Sequence, residues 1–170
     1  MPQHDNFRNP MQNYIFHTLT YADLPLIRKW LMMPHVRSWL PDTEMELELM
    51  KHDMEDDLID MRKVCLRERP FAYIHDHDAE TFGMPQYADL PRGSRVITTF
   101  VGEAEFMGPG HSVGYLKDRI AELRRSCPLV AVGPRSHDQR LIATFTQAGF
   151  QRRRLATSRT GKHIQVMTYK

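Results

Sequence analysis

The chain has 170 residues, 41% hydrophobic and 26% charged, with a formal net charge of +2. That balance excludes a disordered or fibrous chain, and the longest apolar runs fall far short of the roughly 20 residues of a bilayer-spanning helix. Cys65 and Cys127 are too few for a disulfide framework and too far apart for a structural zinc site, so the expectation is a single cytoplasmic domain over residues 13–170, without metal or membrane partner, behind a flexible tail over 1–12.

Residues 14–19 are β-rich and predict a first strand. Thr20 then caps a helix with Asp23 at its third position, Leu24, Ile27 and Leu31 share a face, and Pro34 ends it. A short helix over residues 35–40 and an acidic helix restarting at Pro41, Asp42 and Thr43 follow. Residues 61–66 and 71–75 read as a hairpin turned at Glu68, Arg69 and Pro70, and Arg95–Val101, β-branched and aromatic, as a buried strand after a polar loop. Residues 102–106 connect it to a glycine turn, residues 107–112, that leads into a helix carrying Val113, Tyr115, Leu116, Ile120 and Leu123. Residues 129–132 form a fifth strand, residues 137–148 a helix closed by Gly149, and strands continue from Phe150. The order is α/β with several antiparallel connections.

Charge is segregated along this order. Nine carboxylates face only Lys51 between Asp42 and Asp60, whereas twelve Lys and Arg face Asp118, Glu122 and Asp138 from Tyr115 onward. One half suits a cation and the other an anion. Arg152, Arg153 and Arg154 lack interleaved aromatics and are expected to face water on an edge strand, so no nucleic-acid partner is predicted.

The glycine turn locates the anion. A helix start exposes unpaired N–H groups and a positive dipole end; Gly108 and Gly110 let a ligand approach, and Ser112 adds a hydroxyl. No Gly-Lys-Ser/Thr follows, which excludes a Walker loop, and the turn comes too late in the chain for a Rossmann start.

Residues 97–103 and 107–112 resemble the fourth strand and acetyl-CoA loop of the GNAT N-acetyltransferases, whose signature is Arg/Gln-x-x-Gly-x-Gly/Ala. Residues 133–150 resemble that family's Asp-Pro-x-x-x-Asn-x-Arg-Ala-Ile-x-x-Tyr-x-x-Ala-Gly-Phe block. The front of the chain, residues 19–27, Trp30-Leu31, residues 34–39 and residues 69–74, is most similar to the aminoglycoside 6'-N-acetyltransferase branch. The resemblance implies a mixed, mostly antiparallel sheet splayed between its fourth and fifth strands, with helices on both faces. It implies acetyl-CoA as cofactor, its pantetheine arm along Phe100, Val101 and Gly102, and its pyrophosphate on Met107, Gly108, Pro109, Gly110, His111, Ser112 and Val113. Asp138, Arg140 and Phe145 complete that side.

The implied reaction, attack of a neutral amine on the thioester in a ternary complex, needs a route for the ammonium proton, an N–H for the oxyanion and a proton for the leaving thiolate. Here the sequence departs from the family. Thr98 stands where the aminoglycoside enzymes have Asp, Phe145 where most members have Tyr, Met107 at the Arg/Gln position, Ser112 at the Gly/Ala position, Gly133 at the Asp position and Asp138 at the Asn position. Replacement bases are therefore sought in His75 and His77, one face of the run from His75 to Asp78, with a histidine pKa near 6.5, and in Glu103. Asp42, Asp76, Asp78 and Asp89, with Trp39, are expected to rim a site for a small cationic amine, Glu44 adding to the charge. A siderophore precursor or protein amine as acceptor, and a non-catalytic acyl-CoA-binding protein, are the alternative readings. Either a monomer or a homodimer is compatible with the sequence.

Overall fold

The computed structural model describes residues 13–170; the expected tail, residues 1–12, lies outside the described residues. Seven strands, β1 (Tyr14–Thr18), β2 (Ile59–Leu66), β3 (Arg69–Asp78), β4 (Arg95–Val101), β5 (Val130–Val132), β6 (Gln151–Thr157) and β7 (His163–Tyr169), form one sheet in the order β1-β2-β3-β4-β5-β7-β6. Every neighbouring pair is antiparallel except β4 and β5, which run parallel and meet only at Arg95 with Val130 and Val96 with Ala131. Beyond Val96, β4 continues to Val101 paired with β3 on its other side, so the sheet splits there.

Five helices cover the faces: α1 (Leu24–Leu31), α2 (Pro34–Arg37), α3 (Thr43–Asp56), α4 (Pro109–Leu123) and α5 (Gln139–Ala148). Alternation along β4 assigns Ile97 to the core shared with Tyr115, Leu116, Ile142 and Phe145 of α4 and α5, and Phe100 to the opposite core with Ile27, Trp30, Leu47 and Met50 of α1 and α3. A third cluster, Tyr87, Leu90, Val96, Ala131 and Ile164, lies under the loop between β3 and β4.

Three elements differ from expectation. The β2–β3 turn is only Arg67 and Glu68, both left-handed at φ 51° and 65°, because Pro70 is absorbed into β3 at a register shift opposite Cys65. The helix after the glycine turn begins at Pro109, so Gly110, His111 and Ser112 form its first turn; proline suits that position because its missing N–H has no intrahelical partner. Thr20 and Asp23 do pair, Asp23 Oδ2 accepting from Thr20 N at 2.9 Å, but the turn they close is a 3-10 turn ahead of α1.

A buried ionic cluster ties the sheet to α4. Asp76 is 1% exposed and lies 2.6 Å from Arg95 and 2.8 Å from Arg119, which also reaches Asp60 at 3.2 Å and Glu122 at 2.7 Å. Burial disfavours the charge on Arg119, and Asp76, Glu122 and Asp60 together outweigh it, raising the guanidinium above its ordinary value.

Candidate functional site

A cleft of about 850 Å³ opens where β4 and β5 part. Its floor is β4 from Ile97 to Val101; α4 contributes Gly108, Ser112, Tyr115 and Leu116, the β5–α5 connection Gly133, Pro134 and Arg135, α5 Asp138, Arg140 and Phe145, and α2 with its following turn His35, Ser38 and Trp39. The end at α4 is built mainly of backbone. Gly108 caps the helix at φ 115°, and a Cβ on Gly108 or Gly110 would meet nothing within 4 Å, so the N–H groups of the first turn look onto open space. Arg135 and Arg140 line the same cleft, and neither guanidinium is ion-paired among the described residues.

The middle of β4 is fixed from both faces. Thr99 Oγ1 donates to the Tyr73 carbonyl at 2.7 Å and is bonded to the Tyr115 hydroxyl at 2.7 Å, whose pKa burial pushes up to about 12. From α2, His35 Nε2 donates to the Val101 carbonyl at 2.9 Å. Trp30 presses its indole on Gly102 where any Cβ would overlap it, which explains glycine at the end of the strand.

Of the residues singled out from sequence, Thr98, Phe100, Val101, Met107, Gly108, Ser112, Asp138, Arg140, Phe145 and Trp39 line this cleft. Asp138 caps α5, accepting from Leu141 N at 3.1 Å, and Trp39, 43% exposed, stands edge-on to Phe100. Gly102, Gly110, His111 and Val113 are not part of the lining. Gly102 N donates to the Phe71 carbonyl at 2.8 Å, and the His111 ring turns to β1, where Nδ1 meets the Tyr14 hydroxyl at 2.9 Å.

The expected bases stand elsewhere or in other states. Glu103 accepts from Trp30 Nε1 and Lys29, each at 3.0 Å, and these bonds hold its carboxyl below the usual range: it braces α1. His75 sits opposite Thr98 in the β3–β4 register, but the premise of a pKa near 6.5 does not hold. Burial, aided by neighbouring His77, pushes it down to about 3, and Nδ1 is engaged with the Tyr73 hydroxyl at 2.7 Å. Burial likewise lowers His77, whose Nδ1 lies 2.9 Å from the Asp78 carbonyl.

The expected acidic rim is also redistributed. Asp76 is buried in the ionic cluster; Asp78 accepts from Glu80 N at 2.8 Å; Asp42 caps α3, accepting from Met45 N at 3.0 Å; Asp89 pairs with Arg153 and Arg154 of edge strand β6, at 3.3 and 2.9 Å. None of the four lines the cleft, and each is engaged by a structural partner. Glu44 pairs with Arg28.

Two carboxylates not singled out have no such partner. Glu46 and Asp53 each lie one turn from Met50, on either side of it along α3, make no side-chain hydrogen bond among the described residues, and burial raises both pKa values; Asp53 also feels His77 and Glu46 feels Lys162. Their seven-residue spacing, which puts them on one helix face with buried Leu47 and Met50, was the available signal. His35, Tyr87 and Arg135 were likewise not singled out and line the cleft. Among the described residues no group of three or more His, Cys, Asp or Glu is placed to hold a metal, and no helix is long and apolar enough to cross a membrane.

A sheet parted beside a helix start, with helices on both faces, is an acyltransferase architecture, and comparison with known proteins gives the family. The acetyltransferase (GNAT) domain profile matches residues 20–157, and the chain belongs to that family. Among solved structures it is similar to an uncharacterized protein from Bacillus halodurans, at TM-score 0.84 and 15% identity, covering 94% of this chain and 84% of that one. It is similar to the aminoglycoside acetyltransferase AAC(6')-Ib in complex with ribostamycin and coenzyme A, at TM-score 0.82 and 18% identity, covering 93% of each chain. An aminoglycoside N(6')-acetyltransferase from Legionella pneumophila matches at TM-score 0.76 and 20% identity, over 91% of this chain and 90% of that one. No curated protein matches the sequence.

Proposed function

We propose that this member of the family is a cytoplasmic N-acetyltransferase that moves an acetyl group from acetyl-CoA to a primary amine of a small cationic molecule, by direct transfer in a ternary complex. The observation that carries the reading is the β4–β5 gap opening onto the bare N-terminus of α4. Those residues fit the donor: the first-turn N–H groups of α4 with Arg135 and Arg140, not ion-paired among the described residues, suit a polyanionic phosphate chain, and the gap edge of β4 offers backbone groups to an amide-bearing arm. Acetyl-CoA supplies the activated acyl group.

The acceptor is taken from the α2 side, where Trp39 offers an aromatic wall; Glu46 and Asp53 of α3 lie outside the cleft lining and act on ammonium groups only as a more distant negative field. Backbone N–H groups of β4 serve the developing oxyanion. His75 does not serve as the direct base, since an imidazole held near 3 takes no proton from an ammonium group; the amine sheds its proton to water in the cleft. The aminoglycoside enzymes among the similar structures make an aminoglycoside the first acceptor to try.

The test combines thermal shift with coenzyme A and thiol release from acetyl-CoA over an amine panel containing kanamycin, ribostamycin and spermidine. Coenzyme A stabilises the protein and at least one amine releases thiol; stabilisation without release on any amine identifies a non-catalytic acyl-CoA-binding protein instead.

A further inference from the structure

Phe145 gives the cleft no transferable proton, and the same cleft holds a phenol, Tyr87. Tyr87 ends the 3-10 turn Pro85–Tyr87 in the loop between β3 and β4, and its hydroxyl lies against Gly133, the first residue beyond β5. A Cβ at residue 133 would overlap the Tyr87 oxygen and lie 3.2 Å from Cζ and 3.1 Å from Ile164 Cγ2. Glycine at 133 is therefore what admits the phenol to the gap. The ring is 6% exposed and packed with Val96, Ala131 and Ile164, so the hydroxyl is held in place while it lines the cleft.

The other hydroxyls of the cleft are committed. Ser38 and Thr144 donate to the carbonyls of His35 and Arg140, at 3.2 and 3.1 Å. Ser112, Tyr115 and Thr99 form a chain that ends on the Tyr73 carbonyl. Thr98 and Tyr87 remain, and an aliphatic alcohol is a far weaker acid than a phenol. The Gln86 side chain hydrogen-bonds to the phenol in the sense that favours loss of its proton, and burial outweighs this, raising the pKa to about 12; the proton stays on Tyr87 in the resting protein.

We propose that the Tyr87 hydroxyl donates to the sulfur of the acyl donor as the thioester breaks. The amine nitrogen bonds to the acyl carbon, the carbon–sulfur bond breaks with its electron pair passing to sulfur, and the phenolic proton goes to that sulfur. The proton shed by the nitrogen returns to the phenolate through solvent. The assignment rests on the acetyl-CoA reading above.

The experiment compares wild type with Tyr87→Phe, which keeps the packed ring. Coenzyme A affinity is measured by calorimetry, and the thiol of bound coenzyme A is titrated by its thiolate absorbance, with the desulfo-coenzyme A complex as blank. Affinity stays equal, and the bound thiol titrates about one unit lower in wild type, a roughly tenfold larger ionisation constant, because a donor on sulfur stabilises the thiolate. With an amine acceptor, kcat falls about 100-fold with KM unchanged, and an acetyl thioester of a much more acidic thiol recovers the rate. Fluorotyrosine placed at 87 keeps the oxygen, acidifies the proton and lowers the thiol titration further, a readout independent of the Phe variant's folding. Equal affinity with coincident thiol titrations overturns the proposal. Failure of coenzyme A to bind either protein overturns the donor reading itself, and the assignment of Tyr87 with it.

Discussion

The two sides of the β4–β5 gap are built differently. Toward α4 the surface is formed in good part by main chain, a glycine-capped helix start and the edge of β4 that β5 leaves free beyond Val96, with two arginines that have no carboxylate partner among the described residues. Toward α2 it is side chain: Trp39, His35, Val36 and Ser38. A surface made of backbone tolerates divergent sequence as long as glycines and strand pairing persist, whereas one made of side chains changes chemistry with every substitution.

The contrast breaks most sharply at Asp76. Its substitution by Asn removes the buried carboxylate that Arg95 and Arg119 share, leaving Arg119 only the more exposed Asp60 and Glu122, and the protein loses about 3–5 kcal/mol in urea denaturation. Were Asp76 an acceptor ligand instead, the loss would appear in the amine KM with stability intact.

Acid probes the histidines. His75 has a folded pKa of about 3 against an unfolded value near 6.5, so the unfolded chain binds the extra proton between these limits. The stability owed to neutral His75 is complete above about pH 6.5 and is lost as pH falls toward 3, amounting to about 2–4 kcal/mol. His75→Gln flattens that acid limb of the denaturation midpoint; an unchanged limb would assign it to other groups, beginning with His77, whose lowered pKa acts in the same direction.

Gly110→Ala sharpens the comparison on the main-chain side. The added methyl meets no protein atom and improves helix propensity, so Tm holds or rises slightly while coenzyme A affinity falls about tenfold, by crowding the N–H groups. Unchanged affinity by calorimetry would place the phosphates elsewhere. The smallest effect is expected at α3: Glu46→Gln or Asp53→Asn raises the KM for a polycationic amine about 3–10-fold, measured by thiol release, and leaves coenzyme A affinity unchanged.

The same division decides what the sequence makes legible. Strand β4 was read to its ends because β-branched and aromatic residues fill it, and Gly108, Gly149 and Asp138 mark helix ends by backbone chemistry visible in one residue. The acidic residues were misplaced because type and chain position do not tell a free carboxylate from a cap or an ion pair. Asp42, Asp76, Asp78 and Asp89 each find a partner, two of them at residues 43 or more positions away in sequence, while the carboxylates of Glu46 and Asp53 accept no hydrogen bond among the described residues. Tyr87 was hidden in a loop, and only the missing side chain of Gly133 pointed to a neighbour that needs its space.

The hydrogen bond from His35 to Val101 gives the molecule a mechanical link between its two halves. The helix that walls the proposed amine site grips the strand that would receive the thioester arm, so a displacement of one is a strain on the other. Thermodynamic reciprocity then requires that whatever help or hindrance the first substrate gives the second is returned in equal measure, whichever arrives first.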